Sequence, residues 1–472
     1  MKNPNEELAR FAEKTRWEDL PESVTNEVKL ILIDSIGCAL AGISVAPGEM
    51  AVSLARRLGG PGESSIIGTG EKVSCINAAF ANGELIRALD YDAMPTGGHS
   101  PPYVIPPALA IAESKKASGR DLILALAIGF EISARISKGL QGGGFSFTGT
   151  DVKSFKVGTR GGGAAFNFGA AAGAGKILGL DLREMTNALG MAGHLCQVLT
   201  NTKFTFGAHR HMAKYGVAGW QNTGAVTAAL LAGMGYAGDT DVLDPEYGFW
   251  KFCGYSGWKP ELVTAELGKT WYTPRVNYKR YPCCGMLHTA LDCFYNIIDR
   301  NDLKPSDIAS VKIMGHPVLE LPLFTNRELA NVVDVQFGMH YVISLAAFRV
   351  KIGAEWQDLD KIKEPEIIEF SKKVSFQAHP DYARISRQDP SSQLSRVEVT
   401  AGLETYQEER THSRGTSGTT LALTIDEIAE KFKHNASRVL TKTQAESAME
   451  AILKLERYED IREVLKYFTV KD

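Results

Sequence analysis

Between Asn82 and Glu113 the chain reads NGELIRALDYDAMPTGGHSPPYVIPPALAIAE, which sets Asp90, Asp92 and His99 on one loop between two apolar helical patterns. An imidazole changes charge near neutral pH, so His99 is the natural general base, with Asp90 to orient it or steady its protonated form. Carboxylates and an imidazole beside buried helices must be paired, and loops held by a rigid scaffold are where chemistry tends to sit. The plainer alternative is that Asp90 caps a helix end and His99 is a hydrogen-bonded structural residue. Further on, Lys214 enters a helix rich in Ala, Gly and Leu, where a lysine is paired, functional or snorkelling. Lys279 and Arg280 precede the vicinal Cys283 and Cys284. Positive neighbours can activate a thiol, although packing accounts better for both cysteines.

A base near neutrality, together with cations that hold a developing enolate, moves a proton on carbon next to a carboxylate. Loss of a hydroxyl, loss of CO₂, or return of the proton to the other face would make the enzyme a dehydratase, a decarboxylase or an isomerase. None of these steps requires a metal or an organic cofactor. His209-x-His211 and Asp90-x-Asp92 have the wrong spacing for a helical metal pair, and HExxH is absent, so no metal is expected. GAAAGAGK (169–176) lacks the spacing, the Ser/Thr and the preceding strand of a phosphate loop, and reads as a small-residue helix face. GTRGGG (158–163) likewise lacks a dinucleotide-binding context.

The elements that must carry these residues are mostly helical. Apolar periodicity predicts helices over Ser23–Leu40, Pro47–Leu58, Cys75–Leu89, Ala108–Lys115, Arg120–Ile136, Ala164–Leu178, Arg183–Val198 and Tyr215–Met234. The helix after His99 is expected to start near Pro106–Pro107, SSIIGTG (64–70) to be a short strand, and the glycine-rich Gln141–Gly163 to be irregular. After Trp271 the texture changes to alternating β-branched runs, SVKIMGHPVLEL, KKVSFQAHP and SRVEVTAGLETYQEERTHSRG, with helices at Met286–Ile298 and Val335–Phe348 between them. Thr424 is a plausible N-cap for a helix to Phe432, and Thr443–Phe468 is again helical.

With 472 residues, two domains are the default. A net charge of −3 gives no reason to expect nucleic acid, so an anionic substrate needs a local basic pocket. Seven scattered cysteines read as reduced thiols. No signal-peptide core or membrane-length apolar run stands out, which makes a soluble cytoplasmic protein the expectation.

Several stretches, in order, resemble the MmgE/PrpD family. The loop resembles its D-[FY]-D segment before a His turn. Lys214, Ala218, Gly219, Gly235, Tyr236 and Gly238 match its K-x-x-x-A-G helix and G-[FY]-x-G turn. Lys279, Tyr281, Pro282, Cys284 and His288 match K-x-[FY]-P-x-[CH]-x-x-x-H, and VDVQFGMHYVISLAAF and RGTSGTTLALTIDEIAEKF resemble later segments. The resemblance implies a mainly α fold: a large all-helical domain of residues 1–270 together with 419–472, and a smaller α+β lid domain of 271–418, with the site between them. It implies a homodimer and a cofactor-independent lyase or isomerase acting on a small di- or tricarboxylate, 2-methylcitrate dehydratase-like or epimerase-like ahead of decarboxylase. Asp90, His99, Lys214 and Lys279 would be catalytic, the lysines clamping substrate carboxylates. Lys156, Arg280, Tyr281, Cys284, Tyr341 and Thr96 would bind substrate. Departures at Ala93-Met94, at Lys156 and Cys284 where members carry His, and in loop length leave the specific reaction open. The rival reading is a catalytically inactive member that serves as a dimeric binding or interaction protein. Retention of Asp90, His99, Lys214 and Lys279 together argues against it.

Overall fold

The first ten helices set the frame of the molecule. They are α1 (Pro4–Lys14), α2 (Glu22–Gly42), α3 (Ala46–Leu58), α4 (Cys75–Arg87), α5 (Pro101–Lys115), α6 (Gly119–Gly139), α7 (Phe166–Leu178), α8 (Leu182–His194), α9 (Asn201–Phe206) and α10 (Ala218–Gly233). The computed structural model describes residues 3–158, 162–197, 201–207 and 209–469. Local chemistry sets many of the starts. Ser74 caps α4, and Ser118 with Asp121 and Asp181 with Glu184 form reciprocal capping boxes on α6 and α8. The Ala- and Gly-rich faces let backbones touch: a Cβ added at Gly169 in α7 would lie 2.0 Å from the Gly129 carbonyl oxygen of α6. No single helix among the described residues is long and apolar enough to cross a membrane.

α5 starts at Pro101, five residues before the expected Pro106–Pro107, and runs through both prolines. Proline in a helix interior removes an amide donor and leaves the carbonyl four residues earlier without its partner. Here Asn222 of α10 supplies the replacement, donating to the Pro102 carbonyl at 2.9 Å and to the Ala79 carbonyl of α4 at 3.1 Å. One side chain thus joins α4, α5 and α10. The 141–163 stretch also departs from expectation. It contains an antiparallel hairpin of Phe145–Phe147 and Phe155–Val157, held down by Phe147 and Phe155 against His316 and Tyr382. Aromatic residues at alternate positions gave this glycine-rich loop a surface to pack.

The later part carries a four-stranded sheet. Ile308–Gly315 pairs in parallel with Val374–Ala378 and antiparallel with Ser395–Ala401, which forms a hairpin with Glu404–Arg410. His288–Arg300 and Met339–Ala347 cover it, building a second apolar core around Phe294, Ile313 and Trp356. The helix expected over Val335–Phe348 breaks at Gly338 into Val332–Phe337 and Met339–Ala347. SSIIGTG contributes only Ser64–Ser65, paired with Lys72–Val73. At the far end Thr424 caps Ile425–Ala436, which packs on α2 through the buried Phe432. The run expected as one helix to Phe468 divides into Lys442–Leu453 and short turns.

Candidate active site

Asp90 follows the end of α4 with φ of +52°, and Lys214, in the turn before α10, has φ of +50°. Left-handed backbone at a residue other than glycine costs about 1–3 kcal/mol, so it persists only where its surroundings enforce it. These two strained residues form one ion pair, Lys214 Nζ donating to Asp90 Oδ1 at 2.7 Å. Lys279 Nζ donates to Asp90 Oδ2 at 2.6 Å and to the Asp90 carbonyl at 2.7 Å. All three residues are buried. Burial alone would raise the Asp90 carboxyl, but the two ammonium groups outweigh it and hold it well below its usual range. Burial, with Arg87 adding to it, outweighs Asp90 at Lys214 and pushes that ammonium down. At Lys279 burial works the same way, but Asp90 and Asp92 prevail and keep it raised.

Several elements place this triad. Met94 pairs with Asn277 and Pro95 with Val276, so the loop and the segment leading to Lys279 approach as two short strands. Arg87, the last residue of α4, donates to the carbonyls of Gly216 and, at 3.0 Å, Ala213, fixing the turn that carries Lys214. Lys431 from the Ile425–Ala436 helix donates to the carbonyls of Tyr91 at 2.6 Å and Lys279 at 3.1 Å, and pairs with Asp34 of α2 at 2.6 Å. The other Asp34 oxygen accepts the Ala93 amide at 2.8 Å. The Gln336 side chain donates to the Ala88 carbonyl at 2.8 Å while its backbone carbonyl accepts the Cys284 amide.

Gly97 and Gly98, both at positive φ, turn the chain into His99. The imidazole Nδ1 lies 2.9 Å from Asp92 Oδ2. His99 is therefore oriented by Asp92, not by Asp90 as expected, because Asp90 is occupied with the lysines. Burial alone would raise Asp92, but His99 outweighs it and holds the carboxyl below its usual range. An ionised carboxylate accepts from Nδ1–H, which leaves the Nε2 lone pair free to take a proton.

His99, Asp90, Tyr215 and Cys284 line one cavity of about 230 Å³. Five phenylalanines, Phe145, Phe166, Phe204, Phe324 and Phe337, also line it, alongside glycines, Met94, Met286 and Leu323 and the amides of Asn201 and Gln393. Burial, then Asp90, pushes the Cys284 thiol up to about 11, so it is a neutral group at pH 7. Lys214 and Lys279 are both bonded to Asp90, which lines this cavity, and Lys214 Nζ also lies 5.8 Å from the centre of the Phe337 ring in its wall. Five other expected residues lie elsewhere. The Thr96 hydroxyl donates to the Tyr272 carbonyl at 3.3 Å, and Lys156 is exposed on the 145–157 hairpin. Arg280 points to Asp292 at 3.6 Å and faces a different, larger cleft, which it shares with Lys433. Tyr281 is buried, donating to Asp292 at 2.8 Å between the rings of Tyr295 and Trp356. Tyr341 donates to the Arg327 carbonyl at 2.6 Å. Burial, then Lys279, pushes His288 down to about 3, which makes it a neutral packing residue.

Sequence reasoning missed Asp92 as the partner of His99, and missed Arg87, Gln336 and Lys431 altogether. Lys431 had a signal: it falls on the apolar face of its helix, between Ile428 and Phe432.

Residues 6–261 match the family model described as the MmgE/PrpD N-terminal domain, and residues 281–457 match the MmgE/PrpD C-terminal domain. A cis-aconitate decarboxylase of Aspergillus terreus is 26% identical, the match covering 98% of this chain and 94% of the relative. A cis-aconitate decarboxylase-like protein of Aspergillus oryzae is 27% identical over 98% of this chain and 96% of its own length. The cis-aconitate decarboxylase of Homo sapiens is 25% identical over 98% of this chain and 93% of its own.

Proposed function

The chain belongs to the MmgE/PrpD family, and from that premise we propose that it is a cofactor-independent lyase or isomerase that moves a proton on carbon next to a carboxylate of a small acid. The observation that carries the proposal is His99, which lines the cavity and is held through Nδ1 by Asp92. In this reading Nε2 takes the proton from the carbon, the electron pair passes into the adjacent carboxylate as an enolate, and Asp92 steadies the imidazolium. Asp90 lines the same cavity, but its charge is more than offset by Lys214 and Lys279, so an anionic substrate is not repelled. The imidazolium then returns its proton to carbon on the opposite face in an isomerisation, or assists departure of a hydroxyl in a dehydration; in a decarboxylation CO₂ leaves first, with no C–H abstraction, and an imidazolium at His99 gives its proton to the carbanion left behind. The relatives' names put decarboxylation of cis-aconitate at the head of the reactions to test, with dehydration and epimerisation of related di- and tricarboxylates next.

The same proposal takes residues 1–270 with 419–472 as a helical domain and 271–418 as an α+β lid. Packing of Ile425–Ala436 on α2, away from the sheet core, supports that division. It also takes the protein to act as a homodimer, which light scattering at assay concentration reads directly.

The test is proton NMR in D₂O with cis-aconitate, citrate, 2-methylcitrate and iminodisuccinate, for the native protein and His99→Gln. Turnover or α-deuteration by the native protein, abolished in a variant that melts at the same temperature, is the expected result. An acid panel that is neither turned over nor exchanged would leave a binding protein and end the catalytic reading.

A further inference from the structure

Cys196 and Cys253 stand 57 positions apart in sequence, yet their Sγ atoms meet at 3.7 Å. That is a contact between two thiols, since a bond would draw the sulfurs to about 2.05 Å. The segments that carry them are held in register. Cys196 comes two residues after the end of α8, and Cys253 caps the short helix Phe249–Phe252, its amide donating to the Phe249 carbonyl at 3.0 Å. His194, the last residue of α8, stacks on Phe252 with ring centres 5.1 Å apart, and Phe249 meets the buried Phe168 of α7 edge to face at 4.8 Å. Both cysteines are half-buried, so a small solute can reach them. The other five are poor partners for thiol exchange, because burial keeps them neutral: it pushes Cys75 and Cys284 up to about 11, Cys293 to about 12, and Cys38 and Cys283 well above the usual thiol range.

The residue after Cys196 bolts the start of α10 in place. Gln197 Oε1 accepts the Val217 amide at 2.7 Å, and its Nε2 donates to the Val217 carbonyl at 2.8 Å, three residues beyond Lys214. We infer that Cys196 and Cys253 form a reversible dithiol–disulfide site, closed by exchange with a small disulfide such as oxidised glutathione, and that closure fastens Gln197 and with it the first turn of α10. One cysteine, as thiolate, attacks a sulfur of the small disulfide and releases its first thiol. The second cysteine then displaces the other half from the mixed disulfide. One S–S bond breaks and one forms, two electrons pass from the protein to the small disulfide, and both thiol protons leave on the two glutathiones released. Tying two points so far apart in sequence removes open conformations far more than folded ones, so the cross-link opposes local opening of the segments it joins.

The test treats the folded native protein with oxidised glutathione and maps its peptides by mass spectrometry without reduction. A single cross-linked pair joining Cys196 to Cys253, reopened by dithiothreitol, is the expected result, while Cys253→Ser should retain glutathione on Cys196 instead. Deuterium uptake in the peptide that carries Val217 should be about threefold slower or better in the closed native protein than in the reduced one. Glutathione adducts on the native protein without the cross-link, no reaction at either cysteine, a cross-link that forms only in urea, or equal uptake in the closed and reduced forms would overturn the inference. None of these readouts involves turnover, so they stand or fall apart from the catalytic reading.

Discussion

Replacing Asp90 with asparagine keeps the shape of the side chain and deletes one charge from a buried triad. In the native protein the carboxylate accepts from Lys214 at 2.7 Å and from Lys279 at 2.6 Å, and all three groups are shielded from water. Removing one partner of a buried pair costs about 3–5 kcal/mol, because the remaining charge is left uncompensated. Here two ammonium groups lose their counter-charge. Lys214, already pushed down by burial and by Arg87, can shed its proton and so offset part of the loss. The expected effect of Asp90→Asn at neutral pH is thus a loss of about 3–5 kcal/mol in urea unfolding. Adding Lys214→Met should return about 1–3 kcal/mol of it, since the double variant again has fewer unmatched charges. The sign with pH follows from the depressed Asp90 carboxyl. Its contribution is complete above the unfolded carboxylate's pKa of about 3.9 and is lost as pH falls through the lower folded value. The gap between native and Asp90→Asn should therefore stay level from about pH 7 down to about pH 5 and narrow only in stronger acid. A single variant within about 1 kcal/mol of native, or a double variant that shows simple additivity, would refute the view that these residues act as one buried unit.

Asp92→Asn can offer an amide N–H to Nδ1 of His99 and drive the ring proton to Nε2, so kcat should fall about 10²–10⁴-fold with a smaller change in KM, read by steady-state kinetics. Asn222→Ala leaves the Pro102 and Ala79 carbonyls without their buried donor, and should cost about 1–3 kcal/mol in denaturant unfolding. Lys431→Met isolates the buried Asp34 carboxylate and should destabilise by about 3–5 kcal/mol, most of it recovered when Asp34→Asn is added, again by urea unfolding.

Much of the frame was legible because helix periodicity and caps are local. Cys75–Arg87, Gly119–Gly139 and Ile425–Ala436 start or end within a few residues of where apolar spacing and Thr424 put them. α5 was not, because its prolines argue against a helix unless the distant Asn222 is known to be there. The site divides the same way. Residue type pointed to Asp90, His99, Lys214 and Lys279, which the structure gathers around one triad and one cavity. Which carboxylate serves the imidazole depends on loop geometry two residues apart, and no spacing rule separates Asp90 from Asp92. Arg280, Tyr281 and Tyr341 sit in motif-like segments, yet tertiary packing turns them to Asp292 and Arg327 instead.

The ammonium of Lys431 reaches the Tyr91 carbonyl across 340 positions of sequence. Contacts that close so long a stretch of chain form late in folding, after the entropy of that closure has been met by everything in between. The shape of the loop bearing His99 is therefore inherited from nearly the whole polypeptide. A fragment limited to residues 6–261 would bury Asp90 beside Lys214 with no Lys279 to share the carboxylate and no Lys431 to anchor Tyr91. Co-expressing two halves of this chain, rather than either one singly, is the way to ask whether reactivity can be rebuilt from pieces.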